Sequence, residues 1–133
     1  KMTYSSFELI GTRQYYEVEG RVKICVVLEI LENFDVFIED PKTKKRWRID
    51  PEQIIPEEDS PLYGIDEEVR WNVQVYRPEI STTIAMEARM IVKGILRSDE
   101  HYSYEMRCMI SGQTKVISQD NLISFQDLSK WQT

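Results

Sequence analysis

Apolar side chains fall at every second position through most of this chain, and a period of two belongs to half-buried strands, in which alternate residues face a core. Val22, Ile24, Val26, Leu28 and Ile30 make one such run, and Tyr102, Tyr104, Met106, Cys108 and Ile110 make another. Val69, Trp71, Val73 and Val75 form a third, with shorter runs at Phe34, Val36, Ile38 and at Ala88, Met90, Val92. The period alone specifies at least five strands. A weaker strand is expected from Phe7 to Arg13, resting on Phe7 and Leu9 ahead of Gly11. Helical spacing is confined to the end, where Phe125, Leu128 and Trp131 recur behind Ser124 as a candidate N-cap. The fold class that follows is all-β and antiparallel, with a short C-terminal helix.

A chain of 133 residues is the size of one compact domain or two very small ones. The most turn-rich stretch, Pro56-Glu-Glu-Asp-Ser-Pro61, holds two prolines and three acids and reads as a linker. Arg48 to Ile55 is echoed 68 residues later by Val116 to Ile123, and the same offset carries Phe34, Val36 and Ile38 onto Tyr102, Tyr104 and Met106. One strand earlier the offset is 62, pairing Val26, Leu28 and Ile30 with Ala88, Met90 and Val92, and a polar loop from Ile95 to His101 absorbs the difference. This is the pattern of a duplicated unit. The expected organisation is a first small barrel over 1–58, a second over 59–125 and a tail over 126–133. Each unit ends in a strand, a polar turn and an apolar pair that plugs the barrel end. Asp50 and Ser118 stand where a side-chain oxygen accepts from an N–H two or three residues on.

Charge and composition exclude several functions. Seventeen Lys and Arg against 23 Asp and Glu give a net charge of −6, the wrong sign for gripping a phosphate backbone. Two cysteines, Cys25 and Cys108, and one histidine, His101, neither fill a zinc site nor build a disulfide scaffold, so no metal or cofactor is expected and a reducing, intracellular setting fits. No apolar run approaches the roughly 18 residues of a membrane span. His101 lies in a polar segment, the thiols sit inside strand runs, and neither a glycine-rich phosphate loop nor a nucleophile elbow is present. No catalytic residue is assigned, and an enzyme is not expected.

The linker, the two-unit order and the terminal pattern together resemble the tandem Tudor, or Agenet, module of the fragile X mental retardation protein family. In the second unit the resemblance rests on Ile65-Asp-Glu-Glu-Val69, Glu87 to Gly94, Tyr102 to Met106 and Val116 to Leu122. In the first it rests on Val27 to Asn33, Phe34 to Asp40 and Arg48 to Ile54. The resemblance implies two Tudor-like barrels in tandem and a non-catalytic reader of basic peptides with methylated lysine or arginine, on a histone tail or a ribonucleoprotein partner. It implies a place in the nucleus or in cytoplasmic ribonucleoprotein granules. The attraction is general: a methylated ammonium keeps its charge, loses hydration and is drawn to aromatic faces.

By that resemblance the second unit is the expected ligand site. Trp71 or Tyr76 supplies one cage wall and Tyr102 or Tyr104 another, while the family's tryptophan before the second strand has no counterpart in Ile80 to Ala85. The same rings also serve as half-buried closures of a small barrel. The alternative cage is Phe34, Phe37 and Trp47 in the first unit. Phe37 breaks the alternation and points to the opposite face, to be covered by a ligand or by a seam, whereas Trp47 shares the face of Ile49 and is equally a core residue. Glu39, Asp40, Glu67 and Glu68 are the acids that would support a cationic ligand. Lys42 to Arg48 holds five cations in seven residues around Trp47, a contact for single-stranded nucleic acid or simply a solvated turn. A nucleic-acid-binding barrel and a cage-less interaction scaffold are therefore the competing readings.

Overall fold

A computed structural model of the chain describes residues 6–124, with side chains described for all of these except 6, 7, 71–75, 123 and 124. The chain divides into two compact units, Lys1–Ser60 and Pro61–Thr133. Both are antiparallel meanders. The first runs β1 (Arg13–Val18), β2 (Arg21–Ile30), β3 (Val36–Glu39) and β4 (Arg46–Ile49), each paired with the next. The second runs β5 (Glu68–Arg77), β6 (Thr82–Ser98), β7 (His101–Cys108) and β8 (Thr114–Ser118), again pairing in sequence, and ends in α1 (Gln119–Ser124).

The all-β antiparallel class is the one the alternation implies, but the ladders are open. Among the described residues no ladder joins β1 to β4 or β5 to β8; in the first unit β1 meets the segment after β4 only through an isolated bridge, Tyr16 to Ile54. That bridge is reinforced where the Ile55 amide donates to Tyr15 O at 2.9 Å and Gln53 Nε2 donates to Glu17 O at 3.2 Å. Ile54 and Ile55 are buried, as the plugging role requires.

Both turn-forming oxygens act as expected. Asp50 Oδ1 accepts from the Glu52 amide at 2.9 Å while Gln53 Oε1 accepts from the Asp50 amide at 3.0 Å, a reciprocal cap for the short 3-10 turn Pro51–Gln53. Ser118 Oγ accepts from the Asn121 amide at 3.2 Å and opens α1. The helix therefore begins at Gln119, whereas the spacing that predicts one at Phe125, Leu128 and Trp131 lies outside the described residues, as does the 126–133 tail.

Four expectations are corrected. The strand expected from Phe7 to Arg13 is a 3-10 turn, Ser6–Leu9, followed by Gly11 at φ +85° and by β1. Thr12 Oγ1 donates to Leu9 O at 2.6 Å, closing the turn, and Leu9 is buried in the first core with Tyr16, Cys25, Val27, Val36, Ile38, Ile49 and Ile54. In β2 the fully buried positions are Cys25 and Val27, not Ile24, Val26 and Leu28; a register shift between Val27 and Glu29 then returns Ile30 to the core side. The loop expected from Ile95 to His101 is the last four residues of β6 and the first of β7, turned over by Asp99 and Glu100 alone, both at positive φ. A bulge between Val92 and Gly94 moves burial from Met90 and Val92 to Ile95, so a period-two reading loses the strand there. Ile110, placed inward by the same reading, lies in the β7–β8 turn and is 89% exposed.

Candidate peptide-binding site

The rings of the second unit are mostly structural. Tyr104 is fully buried; its hydroxyl donates to Gln119 Oε1 at 2.5 Å and accepts from the Leu62 amide at 2.9 Å, and its ring meets Tyr63 edge-on at 5.3 Å between centroids. Tyr102 is 6% exposed, with the guanidinium of its cross-strand partner Arg97 lying 5.5 Å from its ring centroid. Tyr76, by contrast, is exposed near the β5–β6 turn. The Trp71 backbone pairs with Ala88, and its side chain is outside the described set. Because a cage needs ring faces open to its ligand, the expectation of walls at Tyr102 and Tyr104 is corrected: both rings are spent on packing. Glu67 Oε1 accepts from the Gly64 amide at 3.1 Å and Glu68 Oε1 from Arg89 Nε at 2.8 Å, so these acids brace the start of β5.

In the first unit, sheet register separates the alternative trio. Trp47 pairs with Ile38 and packs on the core, its ring edge-on to Tyr16 at 6.4 Å. Phe37 pairs with Arg48 on one side and Glu29 on the other, placing an acid, a ring and a base in one row on the opposite face. A cage of Phe34, Phe37 and Trp47 together is therefore corrected; Phe37 and Trp47 are on opposite sides of one sheet. What the outer face holds is an open groove of about 410 Å³ lined by Glu29, Leu31, Phe37 and Arg48.

The turn that borders the groove is built with care. The Leu31 amide donates to Asp35 O and the Phe34 amide to Leu31 O, both at 2.9 Å, while Asn33 Oδ1 accepts from the Asp35 amide at 3.1 Å. Asp35 Oδ2 then holds Arg48 Nε at 3.3 Å. Phe34 sits in this turn at φ +69°, a left-handed conformation that glycine or asparagine takes at lower cost, and its side chain is 66% exposed. A bulky ring that is both strained and solvated contributes little to folding. Glu29, across the groove from Arg48, has no ion-pair partner among the described residues.

Glu39 and Asp40 are occupied otherwise. Glu39 Oε1 accepts from Arg46 Nε at 2.9 Å. Asp40 Oδ1 accepts from the Lys42 amide at 2.8 Å, the main reason its carboxyl titrates below the ordinary range, and from the Thr43 amide at 3.3 Å. Arg46 is paired with Glu39 and Arg48 with Asp35, which offsets two of the five cations of the basic run. Glu29 and Leu31 were not singled out as ligand-facing by the sequence, and Arg48 only as the end of the basic run read as a nucleic-acid contact. The off-phase position of Phe37 was the signal, and reading it needed the register that puts Glu29 and Arg48 beside it. Cys25 is buried, with its thiol pushed up to about 12 by desolvation, and among the described residues no three His, Cys, Asp or Glu side chains gather as a metal site. Family models, curated proteins and solved structures were all compared with this chain, and none matches it.

Proposed function

We propose that the chain is a non-catalytic reader or adaptor module of the tandem Tudor-like type, and that it binds a basic peptide carrying methylated lysine or arginine on the outer face of its first unit. The partner so defined is a histone tail or a basic segment of a ribonucleoprotein. One observation carries this reading: the Glu29–Phe37–Arg48 row, bordered by a turn that holds Phe34 out in solvent. A methylated cation laid over Phe37 gains a ring face and keeps its charge near the Glu29 carboxylate. Arg48, tied back to Asp35, closes the other side of the groove. The net charge of −6 adds long-range attraction for a basic tail.

The test is a fluorescence titration of lysine-rich peptides, methylated and unmethylated, against the whole chain and its Phe37→Ala and Glu29→Gln variants. Loss of one ring wall is expected to cost roughly tenfold to thirtyfold in affinity for the methylated peptide, since a desolvated cation–π contact is worth up to about 2 kcal/mol. Equal affinity across wild type and both variants, with melting temperatures unchanged, removes this groove from consideration. Tight binding of a single-stranded oligonucleotide that is abolished by Lys44→Ala with Lys45→Ala favours the nucleic-acid reading instead.

A further inference from the structure

We infer that a second binding site, for an acidic peptide segment with an aliphatic residue beside the acid, lies on the second unit at the β7–β8 turn. Ile91 and Arg107 are cross-strand partners on one face, and with Lys93 and the turn after β7 they line an open groove of about 450 Å³. The turn is closed by the Cys108 amide donating to Gln113 O at 2.8 Å and the Gly112 amide donating to Cys108 O at 3.0 Å. Gly112 has φ +75°, a left-handed conformation that favours glycine, and it stands beside the Arg107 guanidinium, where a Cβ would make ordinary contact at 3.7 Å with Nη2. Holding the turn this way presents Met109 and Ile110, 47% and 89% exposed, at the rim.

Charge identifies the occupant. Among the described residues Arg107 has no carboxylate partner, and its cross-strand neighbour on β8, Thr114, offers none. Lys115 is likewise without an acid, and only Lys93 is held, by Asp66 at 3.6 Å. On a chain of net charge −6 an uncompensated guanidinium beside an exposed isoleucine is a local reversal of sign. A guanidinium fork matches a carboxylate in two parallel hydrogen bonds, and Ile110 with Met109 covers an aliphatic neighbour. A nucleic acid fits less well: no aromatic ring lines the groove, so bases have nothing to stack on. The site is on a different unit from the basic-peptide groove and takes the opposite charge, so it stands or falls separately.

The experiment titrates the whole chain into a fluorescein-labelled peptide of repeated Glu-Glu-Leu at low salt, with a Gln-Gln-Leu peptide and a single-stranded oligonucleotide as comparisons. The acidic peptide is expected to bind, with Arg107→Ala weakening it about tenfold or more, Arg107→Lys weakening it less, and Ile110→Ser weakening it severalfold. Phe37→Ala is expected to leave it unchanged. Melting curves on the same samples establish that each variant is folded, and Lys93→Ala, the other cation lining the groove, serves as a second charge variant if Arg107→Ala is not. Absence of binding, equal affinity for the glutamine peptide, indifference to Arg107→Ala in a folded sample, or tighter binding of the oligonucleotide overturns the proposal.

Discussion

The hydroxyl of Tyr104 lies 2.5 Å from Gln119 Oε1, linking the middle of β7 to the first residue of α1. The same oxygen accepts the Leu62 amide at 2.9 Å, so the segment entering the second unit and α1 share one phenol. The Tyr63 amide donates to it as well, at 3.3 Å, so Tyr104→Phe keeps the ring and removes all three bonds, leaving Gln119 Oε1 as the remaining acceptor for Leu62 at 3.2 Å. A loss of about 1–2 kcal/mol is expected from the urea midpoint, with no change in peptide affinity. An unchanged midpoint means that the hydroxyl is idle.

Phe34 inverts the usual relation between stability and function. Its φ of +69° is costly for a residue with a Cβ, and with 66% of it exposed there is little packing to lose. Phe34→Gly is therefore expected to raise stability by about 0.5–1 kcal/mol while weakening a methylated basic peptide. Thermal melts and titrations on one preparation separate the two effects. A destabilised variant shows instead that the ring is packing.

Period two was legible wherever a strand kept one register along its length. Val36 and Ile38, or Tyr102, Tyr104 and Met106, are buried as the alternation requires. It failed at bulges: the shifts after Val27 and Val92 swap faces within a strand, which put Ile30 on the core side together with Cys25 and Val27, although their spacing is odd, and disguised Ile95 as loop. β1 was missed because Arg13-Gln-Tyr-Tyr-Glu-Val18 has no apolar alternation, and Tyr16 reaches the core as an aromatic among polar residues. The site was legible only in part. Phe37 announced itself by pointing away from its neighbours, but which side chains flank it is a fact of pairing with β2 and β4, and pairing is not written locally.

The two caps offer an internal comparison of the repeated turn. Asp50 has a reciprocal partner in Gln53, whereas Ser118 accepts one amide, at 3.2 Å. Asp50→Ala is expected to cost about 1–2 kcal/mol and Ser118→Ala about 0.5–1 kcal/mol, read from urea midpoints. The reverse order contradicts the geometry.

The separation of Phe37 from Trp47 by the thickness of the sheet gives opposite outcomes for the two rings. Trp47 packs on Tyr16 and the first core, so Trp47→Ala is expected to lose about 2–3 kcal/mol of stability. Phe37→Ala, on the groove side, is expected to lose less than half of that and to lose binding instead. Melts and titrations of the pair, side by side, decide it; a Phe37 variant that melts lower than the Trp47 variant reverses the assignment.

Alkaline pH tests the first core through two titratable groups buried in it, Cys25 and Tyr16. Burial raises Cys25 from 9.0 and Tyr16 from 10.0, both to about 12, and an ionised Cys25 adds to the rise at Tyr16. Folding therefore favours the neutral, protonated forms, and the folded state binds more protons than the unfolded one once the pH passes the unfolded values. The sign is fixed: the contribution is fully present below about pH 9 and is lost progressively as pH rises toward 12. Urea midpoints at about pH 8, 9.5 and 10.5 are expected to fall in that order. Cys25→Ala lowers the starting midpoint slightly, because a small buried group is removed, and is expected to flatten the first part of the decline, leaving the later part to Tyr16. A midpoint that holds constant to pH 10.5, or a slope indifferent to Cys25→Ala, means that the thiol is not held neutral by the core.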